Sequence, residues 1–283
     1  MIDILLSASK NTLIHLILLF GLTGVITLVL FLLQRMICIS FSKTTGWKGV
    51  YLTAWIGTPV HEIGHVIFCH LFGHKVKEVA LFQPDKSSGV LGYVHHSYNP
   101  KSIYQSIGNF FIGIAPMLTG SALLFLLFDS FFHGNAASPV KAGIDINNIN
   151  TSISAIFTEV YNGMKQNFIA LSVSVTKPTL TTVILVYIMA SISVHLAPSH
   201  TDLKNALPGF GLITGLILVF NLVMAAIGPG SLVLATPVTA FLGKLHGILL
   251  FGLALSTAAF ILFYIPLALF YLFKAKRILN PFF

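Results

Sequence analysis

The amino-acid sequence predicts an all-α polytopic membrane protein, with about six transmembrane helices and a small β-hairpin insertion after the second helix. Hydrophobic residues make up 55% of the 283 residues, charged residues make up only 8%, and the apolar residues are gathered into long runs. Soluble domains carry about 25% charged residues, and about 20 apolar residues are enough to cross a bilayer as a helix. The net charge of +8 is spread over many short loops, which is typical of membrane flanks and argues against nucleic acid as a partner.

Six apolar runs follow one another along the chain, at residues 12–33, 49–72, 103–128, 179–196, 210–227 and 241–273. The first run ends without a small-residue cleavage pattern, so we expect a retained helix and not a cleaved signal peptide. The last run is long enough to be tilted, or kinked at Pro266. No long linker divides the chain, which favours a single membrane domain over residues 1–283. Within it we expect a polar loop at 134–178 and accessory helices at 208–283.

The charges of the loops predict the orientation of these helices. Six helices place both termini on the same side of the membrane. If that side is the cytoplasm, the inner segments carry nine of the 16 Lys and Arg residues and the outer segments carry seven. Because positive charge favours the cytoplasmic side, we expect both termini there. The second and fourth helices then end on the same, cytoplasmic side.

The second apolar run contains the pattern His61-Glu62-Ile63-Gly64-His65. Ionisable residues inside a membrane helix are costly and usually functional. At about 100° per residue, His61 and His65 lie about 40° apart on one helical face, so both imidazoles can reach one ion. Glu62 is placed to take a proton from a water held at that ion. Gly64 is expected to leave room for a substrate beside the metal. This spacing is that of a zinc hydrolase.

Catalytic zinc usually has three protein ligands and one open position. Only three of the eight acidic residues lie in or at the end of an apolar run, namely Glu62, Asp129 and Asp202. Asp129 ends the third helix on the opposite side of the membrane, whereas Asp202 follows the fourth helix and returns to the side where the second ends. Asp202 is therefore the predicted third ligand, with His195 and His200 as alternatives. Asp202 can also cap the helix that follows it.

Three further features accompany the zinc pattern. A hairpin is predicted at 75–98, with alternating strands at 75–82 and 90–96 around a Pro/Gly-containing turn. The third helix contains the small-residue segment 113–116, which includes Pro116. The fourth helix is followed by Pro198 and then Asp202. Together with the zinc pattern, in this order, the chain resembles the site-2 protease family of intramembrane zinc metalloproteases.

The resemblance implies a catalytic three-helix core over residues 49–207. It implies one Zn²⁺ per chain, held by His61, His65 and Asp202, with Glu62 activating a water. The family pattern at the fourth feature reads Asn-x-x-Pro-x-x-x-x-Asp-Gly. This chain instead has His195 in the Asn place, one residue fewer before the aspartate, and a leucine in the Gly place.

The implied function is hydrolysis of peptide bonds in transmembrane or membrane-tethered substrates. The expected partners are therefore a membrane-embedded protein substrate and the lipid bilayer. Asn109 and His195 are candidate substrate-binding residues. The hairpin could offer an edge to which an unwound substrate adds as a strand.

Two other functions are open from the sequence. Histidines occur in four pairs: His61 with His65, His70 with His74, His95 with His96, and His195 with His200. Such pairs are also found in membrane di-iron desaturases and hydroxylases. On a continuous helix, however, His70 and His74 would lie about 180° and about 220° from His61, facing away from the first pair. A non-enzymatic transporter or metal-binding scaffold is the other alternative, but few charged residues are available to line a pathway.

Overall fold

The computed structural model describes residues 2–132, 179–227 and 236–282, together with scattered positions between these ranges. The chain is mainly helical, which confirms the all-α fold class. The helices are α1 (Ile2–Leu16), α2 (Leu22–Thr44), α3 (Trp47–Leu71), α4 (Ile103–Gly113), α5 (Ala115–Phe132), α6 (Leu180–Val194), α7 (His200–Ile227) and α8 (Thr236–Ala275). The strands are β1 (Lys75–Ala80), β2 (Tyr93–Ser97), β3 (Ile144–Asp145) and β4 (Val233–Leu234). Most of the predicted polar loop at 134–178 lies outside the described residues.

Three helical stretches among the described residues are long and apolar enough to cross a membrane: Ile2–Thr44, His200–Ile227 and Phe241–Ala275. A fourth span is possible if α4 and α5, which meet at a bend of 57°, are taken together. Helix α3 does not meet the same criterion, since its histidines and glutamate lower its hydropathy, and α6 has only 15 residues. The structure therefore supports a membrane protein, but it does not show six spans.

Helices α1 and α2 form one continuous helix of 43 residues, because the segment Ile17–Gly21 between them is π-helical and does not break the chain. At 1.5 Å per residue this helix is about 65 Å long, about twice the thickness of the hydrocarbon core. Its first part packs against α7, and its second part packs against α8 and α3. The long helix therefore connects α7 with the helices α3 and α8.

A buried polar cluster fastens α1 to α7. The Asn221 amide nitrogen donates to Thr12 Oγ1 at 3.0 Å and to His15 Nδ1 at 3.2 Å. All three side chains are buried, and Asn221 is fully so. Hydrogen bonds between membrane helices contribute about 0.6 kcal/mol each on average and at most about 1.7 kcal/mol.

We expect Asn221→Leu to weaken the α1–α7 contact and to lower the free energy of unfolding by about 1 kcal/mol. The substitution keeps the number of side-chain heavy atoms and the branch at Cγ, but it removes both hydrogen bonds. Denaturant unfolding in detergent would measure the change. Gln83→Leu, at an exposed loop position, serves as a control. Equal stability of the Asn221 variant and the parent protein would show that the cluster does not hold the two helices together.

The predicted hairpin is present, with shorter strands than expected. Strands β1 and β2 pair antiparallel, with an irregularity in the register between Val76 and Glu78. Beyond the strands the two arms stay together through backbone hydrogen bonds, and Asp85 closes the turn by accepting from the Ser87 backbone N–H at 2.9 Å and from the Ser88 hydroxyl at 2.7 Å. These bonds to the carboxylate lower the pKa of Asp85 to about 2. These bonds fix the shape of the turn, and its residues Ser88 and Gly89 line the cavity described below.

The ends of several helices lie beside the zinc pattern of α3. Helices α4 and α5 meet at Ile114, so the third predicted run is bent rather than straight. Helix α6 ends at Val194, and α7 begins six residues later at His200. The predicted helix after Asp202 and the fifth apolar run are therefore one helix, with Pro208 inside it. An apolar core between α5, α6 and α8, which includes the edge-to-face pair Phe128–Phe251, fixes these ends in place.

Candidate metal centre

The zinc pattern lies in the middle of α3, as predicted. Glu62 and His65 are each 6% exposed, and the His61 side chain is 12% exposed. The two imidazole rings face each other with their centroids 5.0 Å apart. The helical spacing therefore brings both rings to one face, inside the protein.

Asp202 joins this pair from the first turn of α7. The carboxylate oxygens of Asp202 lie 3.5 Å from His61 Nε2 and 3.3 Å from His65 Nε2. One ligand atom from each of the three residues lies within 4.8 Å of the others, as a shared metal ion requires. Among the described residues, this is the group of three His, Cys, Asp or Glu residues that could hold a metal ion. The alternative ligands His195 and His200 are not members of the group.

Backbone carbonyl groups fix the tautomers of both histidines. His61 Nδ1 donates to the carbonyl oxygen of His195 at 2.9 Å, and His65 Nδ1 donates to that of Ile112 at 2.8 Å. A carbonyl can only accept, so in the neutral rings the proton is on Nδ1 and the Nε2 lone pair is free. Metal-binding histidines are typically oriented by such a second hydrogen bond.

The donor set fits a metal ion for an electrostatic reason. In the neutral rings the Nε2 lone pairs of His61 and His65 face the Asp202 carboxylate at 3.3–3.5 Å, where no hydrogen is available to join them. Three electron-pair donors in one buried place repel one another unless positive charge lies between them. A single divalent cation meets this need with nitrogen and oxygen ligands.

Asp202 is held in place by a capping box at the start of α7. Its Oδ2 atom accepts from the Ser199 backbone N–H at 2.7 Å, and the Asp202 backbone N–H donates to Ser199 Oγ at 3.2 Å. This reciprocal pair stabilises a helix N-terminus. Asp202 is therefore not the N-cap of a helix that begins after it, as one interpretation of the sequence predicted, because α7 already begins at His200 and Ser199 is the N-cap. The carboxylate that closes this box is also the predicted ligand.

Glu62 is next to the metal group and lines a cavity of about 580 Å³. The loop of the hairpin packs directly on Glu62: a Cβ atom on Gly92 would lie 3.0 Å from Glu62 Cγ and 2.8 Å from the Ala80 carbonyl oxygen. Glycine is therefore needed at position 92 for the loop to approach the carboxylate so closely. The sequence did not reveal this contact, because Gly92 and Glu62 are far apart along the chain and meet only in the folded structure.

If Glu62 activates a water, as the sequence predicts, Gly92→Ala should displace the Glu62 side chain or the loop and so reduce turnover, while the metal content stays unchanged. A misplaced catalytic group costs about 100-fold when it moves by about 1 Å. The control is Gly211→Ala, because nothing lies within 4 Å of a Cβ atom built there. Hydrolysis rate and bound metal would be measured on both variants. Full activity in Gly92→Ala would show that Glu62 does not depend on this contact.

Gly64 has a different role from the one predicted. A Cβ atom at Gly64 would collide with Thr119 Oγ1 and lie 3.2 Å from the Ala115 carbonyl group. The expectation that Gly64 leaves room for substrate is therefore wrong. It faces α5, and its missing side chain lets α3 and α5 pack closely.

Asn109 and His195, the candidate substrate-binding residues, both line the cavity. Asn109 is 4% exposed, and its amide nitrogen has no hydrogen-bond partner among the described residues. The His195 ring instead lies between Gln34 and Thr53, at 3.2 Å from Gln34 Nε2 and 3.4 Å from Thr53 Oγ1. Asn109 thus has a free donor for a ligand, whereas the His195 ring is engaged and its carbonyl oxygen orients His61.

The second histidine pair, His70 near the end of α3 and His74 just after it, does not belong to the metal group. His70 is exposed, and its Nδ1 donates to the Val66 carbonyl oxygen at 2.8 Å. His74 Nε2 donates to the Gln105 carbonyl oxygen at 2.8 Å, and its Nδ1 lies 3.0 Å from His96 Nδ1. Burial lowers the pKa of His96 to about 4. These contacts do not bring the histidine pairs together as ligands of two metal ions.

Comparisons of the chain with known protein families, with curated proteins and with solved structures found no match. The chemistry of the site therefore has to be inferred from its own side chains. Those side chains provide two oriented imidazoles, one oriented carboxylate, a second buried carboxylate beside them, and an unpaired amide donor in the same cavity.

Proposed function

We propose that this protein is an intramembrane zinc-dependent endopeptidase that hydrolyses peptide bonds in transmembrane or membrane-tethered proteins, like the site-2 proteases it resembles. The observation that carries the proposal is the convergence of His61, His65 and Asp202 within 4.8 Å, with Glu62 beside them. The long apolar helices around the site support a substrate that reaches it from within the bilayer.

Zinc is the metal that best matches these ligands. Two histidines and one carboxylate form a common catalytic zinc site, in which a fourth position stays open. When bound, one Zn²⁺ per chain supplies a Lewis acid that polarises the scissile carbonyl and lowers the pKa of a water. His61 and His65 cannot serve as the base, because their Nδ1 atoms donate to carbonyl groups and their Nε2 atoms face Asp202.

Glu62 is then the proton carrier of the reaction. It lies in the cavity, and it is not a member of the metal group. It accepts a proton from the attacking water and passes it to the leaving amine, as a general base and then a general acid. The loop at Gly92 covers this carboxylate and limits its movement.

Two features support an extended substrate. The residues of β2 line the cavity, and its edge opposite β1 is not paired with another strand in the described part of the chain. An unwound segment can add to such an edge through main-chain hydrogen bonds. The Asn109 amide is free to donate to a substrate carbonyl. Because helical peptide bonds are shielded, the substrate must unwind before it is cleaved.

The proposed arrangement in the membrane has six spans, in which α3 and α6 are shielded by their neighbours and so tolerate polar residues. The catalytic core comprises residues 49–207. Both termini lie in the cytoplasm, and the active site lies toward the cytoplasmic leaflet.

The function would be tested by incubating the purified protein in detergent with labelled transmembrane peptides and determining the product masses. We expect internal cleavage that is lost on chelation and restored by Zn²⁺. Metal analysis of the same sample separates the alternatives. Two iron atoms per chain would favour a di-iron oxygenase, and bound zinc without any cleavage would favour a scaffold or transporter.

A further inference from the structure

One wall of the cavity is formed by α2, which lies outside the proposed core. Its cavity-lining residues follow the spacing of one helical face and are Phe31, Gln34, Arg35 and Cys38. Arg35 is one of only two arginines in the chain, the other being Arg277 near the C-terminal end. A guanidinium group therefore lines the same cavity as the metal group.

Arg35 has no counter-ion among the described residues. Arginine stays charged in proteins, and a charge within an apolar membrane helix is costly unless it is paired. No carboxylate in the described part of the chain lies within 4.0 Å of its guanidinium group. Two carboxylates line the cavity with Arg35. Asp202 faces the two histidines and Ser199, and Glu62 forms no ion pair with the Arg35 guanidinium group within 4.0 Å.

The other polar groups near Arg35 have partners. Gln34 Nε2 lies 3.2 Å from His195 Nδ1 and is used to hold that ring. His95, on the hairpin, lies 3.5 Å from Glu78. Arg35 therefore remains the available cationic donor of this wall, since the residue is exposed and is one of those that line the cavity.

We propose that Arg35 forms a subsite that binds a carboxylate of the substrate at a distance from the scissile bond. This inference rests on the proposed endopeptidase function and names a class of substrate: peptides with an acidic side chain or with a free C-terminal carboxylate. The guanidinium fork matches a carboxylate with two parallel hydrogen bonds. Arg35 lines the same cavity as Glu62 and His65. This position favours a substrate group over a lipid headgroup as its partner.

Binding can be measured without turnover, in zinc-loaded Glu62→Gln protein held in phosphatidylcholine nanodiscs. The probes are fluorescent apolar transmembrane peptides in matched pairs. In one pair a single Asp replaces Asn, and in the other a free C-terminal carboxylate replaces a carboxamide. We expect one acidic peptide to bind about tenfold or more tightly than its neutral partner, as expected of a charge-assisted hydrogen bond. Which pair shows the difference identifies the source of the carboxylate.

Adding Arg35→Gln should remove this preference by weakening the acidic peptide alone, and Arg35→Glu should transfer the preference to a Lys-containing peptide. Lys43→Gln, at an exposed position of the same helix, should change nothing. A preference that survives Arg35→Gln, or an equal loss for both peptides of a pair, would overturn the proposal. So would an Arg35 effect that appears only with anionic phosphatidylglycerol, because the guanidinium would then bind lipid.

The two proposals fail in different ways. Cleavage of neutral peptides by the protein with Glu62 intact, without a charge preference that depends on Arg35, would leave the endopeptidase and remove the subsite. Charge-dependent binding that requires Arg35, without any cleavage product, would leave the subsite and remove the endopeptidase.

Discussion

Glu62→Gln is expected to abolish hydrolysis while the protein keeps its metal. The amide is almost the same size as the carboxylate, so the packing beneath Gly92 is preserved, but it cannot accept a proton. General-base catalysis contributes about 100-fold to 10,000-fold to a rate, and we expect a loss in this range. Cleavage of a labelled transmembrane peptide and metal analysis of the same sample would measure both effects.

Glu78→Gln is the matched control for this substitution. Glu78 is an exposed carboxylate on β1 whose partners are the Tyr93 hydroxyl at 2.6 Å and His95 at 3.5 Å. Its substitution should leave turnover unchanged. If Glu62→Gln and Glu78→Gln cleave peptides equally fast, Glu62 is not the base. If Glu62→Gln loses its metal, the carboxylate is a ligand and the assignment of roles in the site must change.

Asp202→Asn is expected to reduce zinc affinity by more than about 100-fold, which is the upper range for loss of a group that only orients a ligand. Asparagine keeps the shape of the side chain, but it removes the negative charge that faces His61 and His65 at 3.3–3.5 Å. Competition with a chromogenic zinc chelator would measure the affinity. Loss of hydrolysis should follow the loss of metal and should be partly restored at high zinc concentration.

The same side chain caps α7, so metal binding and helix stability need separate controls. Ser199→Ala removes the hydroxyl that accepts from the Asp202 backbone N–H and leaves the carboxylate in place. Loss of such a cap costs about 1 kcal/mol, so this variant should be less stable but should still bind zinc. Unchanged zinc affinity in Asp202→Asn would exclude Asp202 as a ligand, whatever the stability of the variant.

The parts of the site that were predictable follow from local spacing and from chain direction. The placement of His61 and His65 on one face follows from the helical repeat, and the approach of Asp202 was predicted from the side of the membrane to which the fourth apolar run was expected to return. The hairpin was predictable because alternation and turn residues are local signals. These features depend on short stretches of sequence or on topology alone.

The remaining features depend on where helices end and how closely they pack. The carbonyl groups of His195 and Ile112 orient the ligands only because α6 ends near His195 and α4 ends just after Ile112. No side-chain pattern encodes that meeting of helix ends. The role of Gly64 was misjudged for a related reason: a missing side chain can serve either a cavity or a helix contact, and only the neighbouring helix distinguishes the two. The cavity wall formed by α2 was not predictable either, because α2 lies outside the predicted catalytic core at residues 49–207.

The π-helical segment Ile17–Gly21 has a geometric consequence for the whole protein. A π turn accommodates an extra residue relative to an α-helix, and each residue of an α-helix adds about 100° of rotation. The segment therefore sets the rotational phase between the face of α1 that carries Thr12 and the face of α2 that carries Arg35. Along a purely α-helical path the relative orientation of these two faces would change by about one residue, or about 100°. The π-helical segment thus determines which face of α2 lines the cavity when α1 packs against α7.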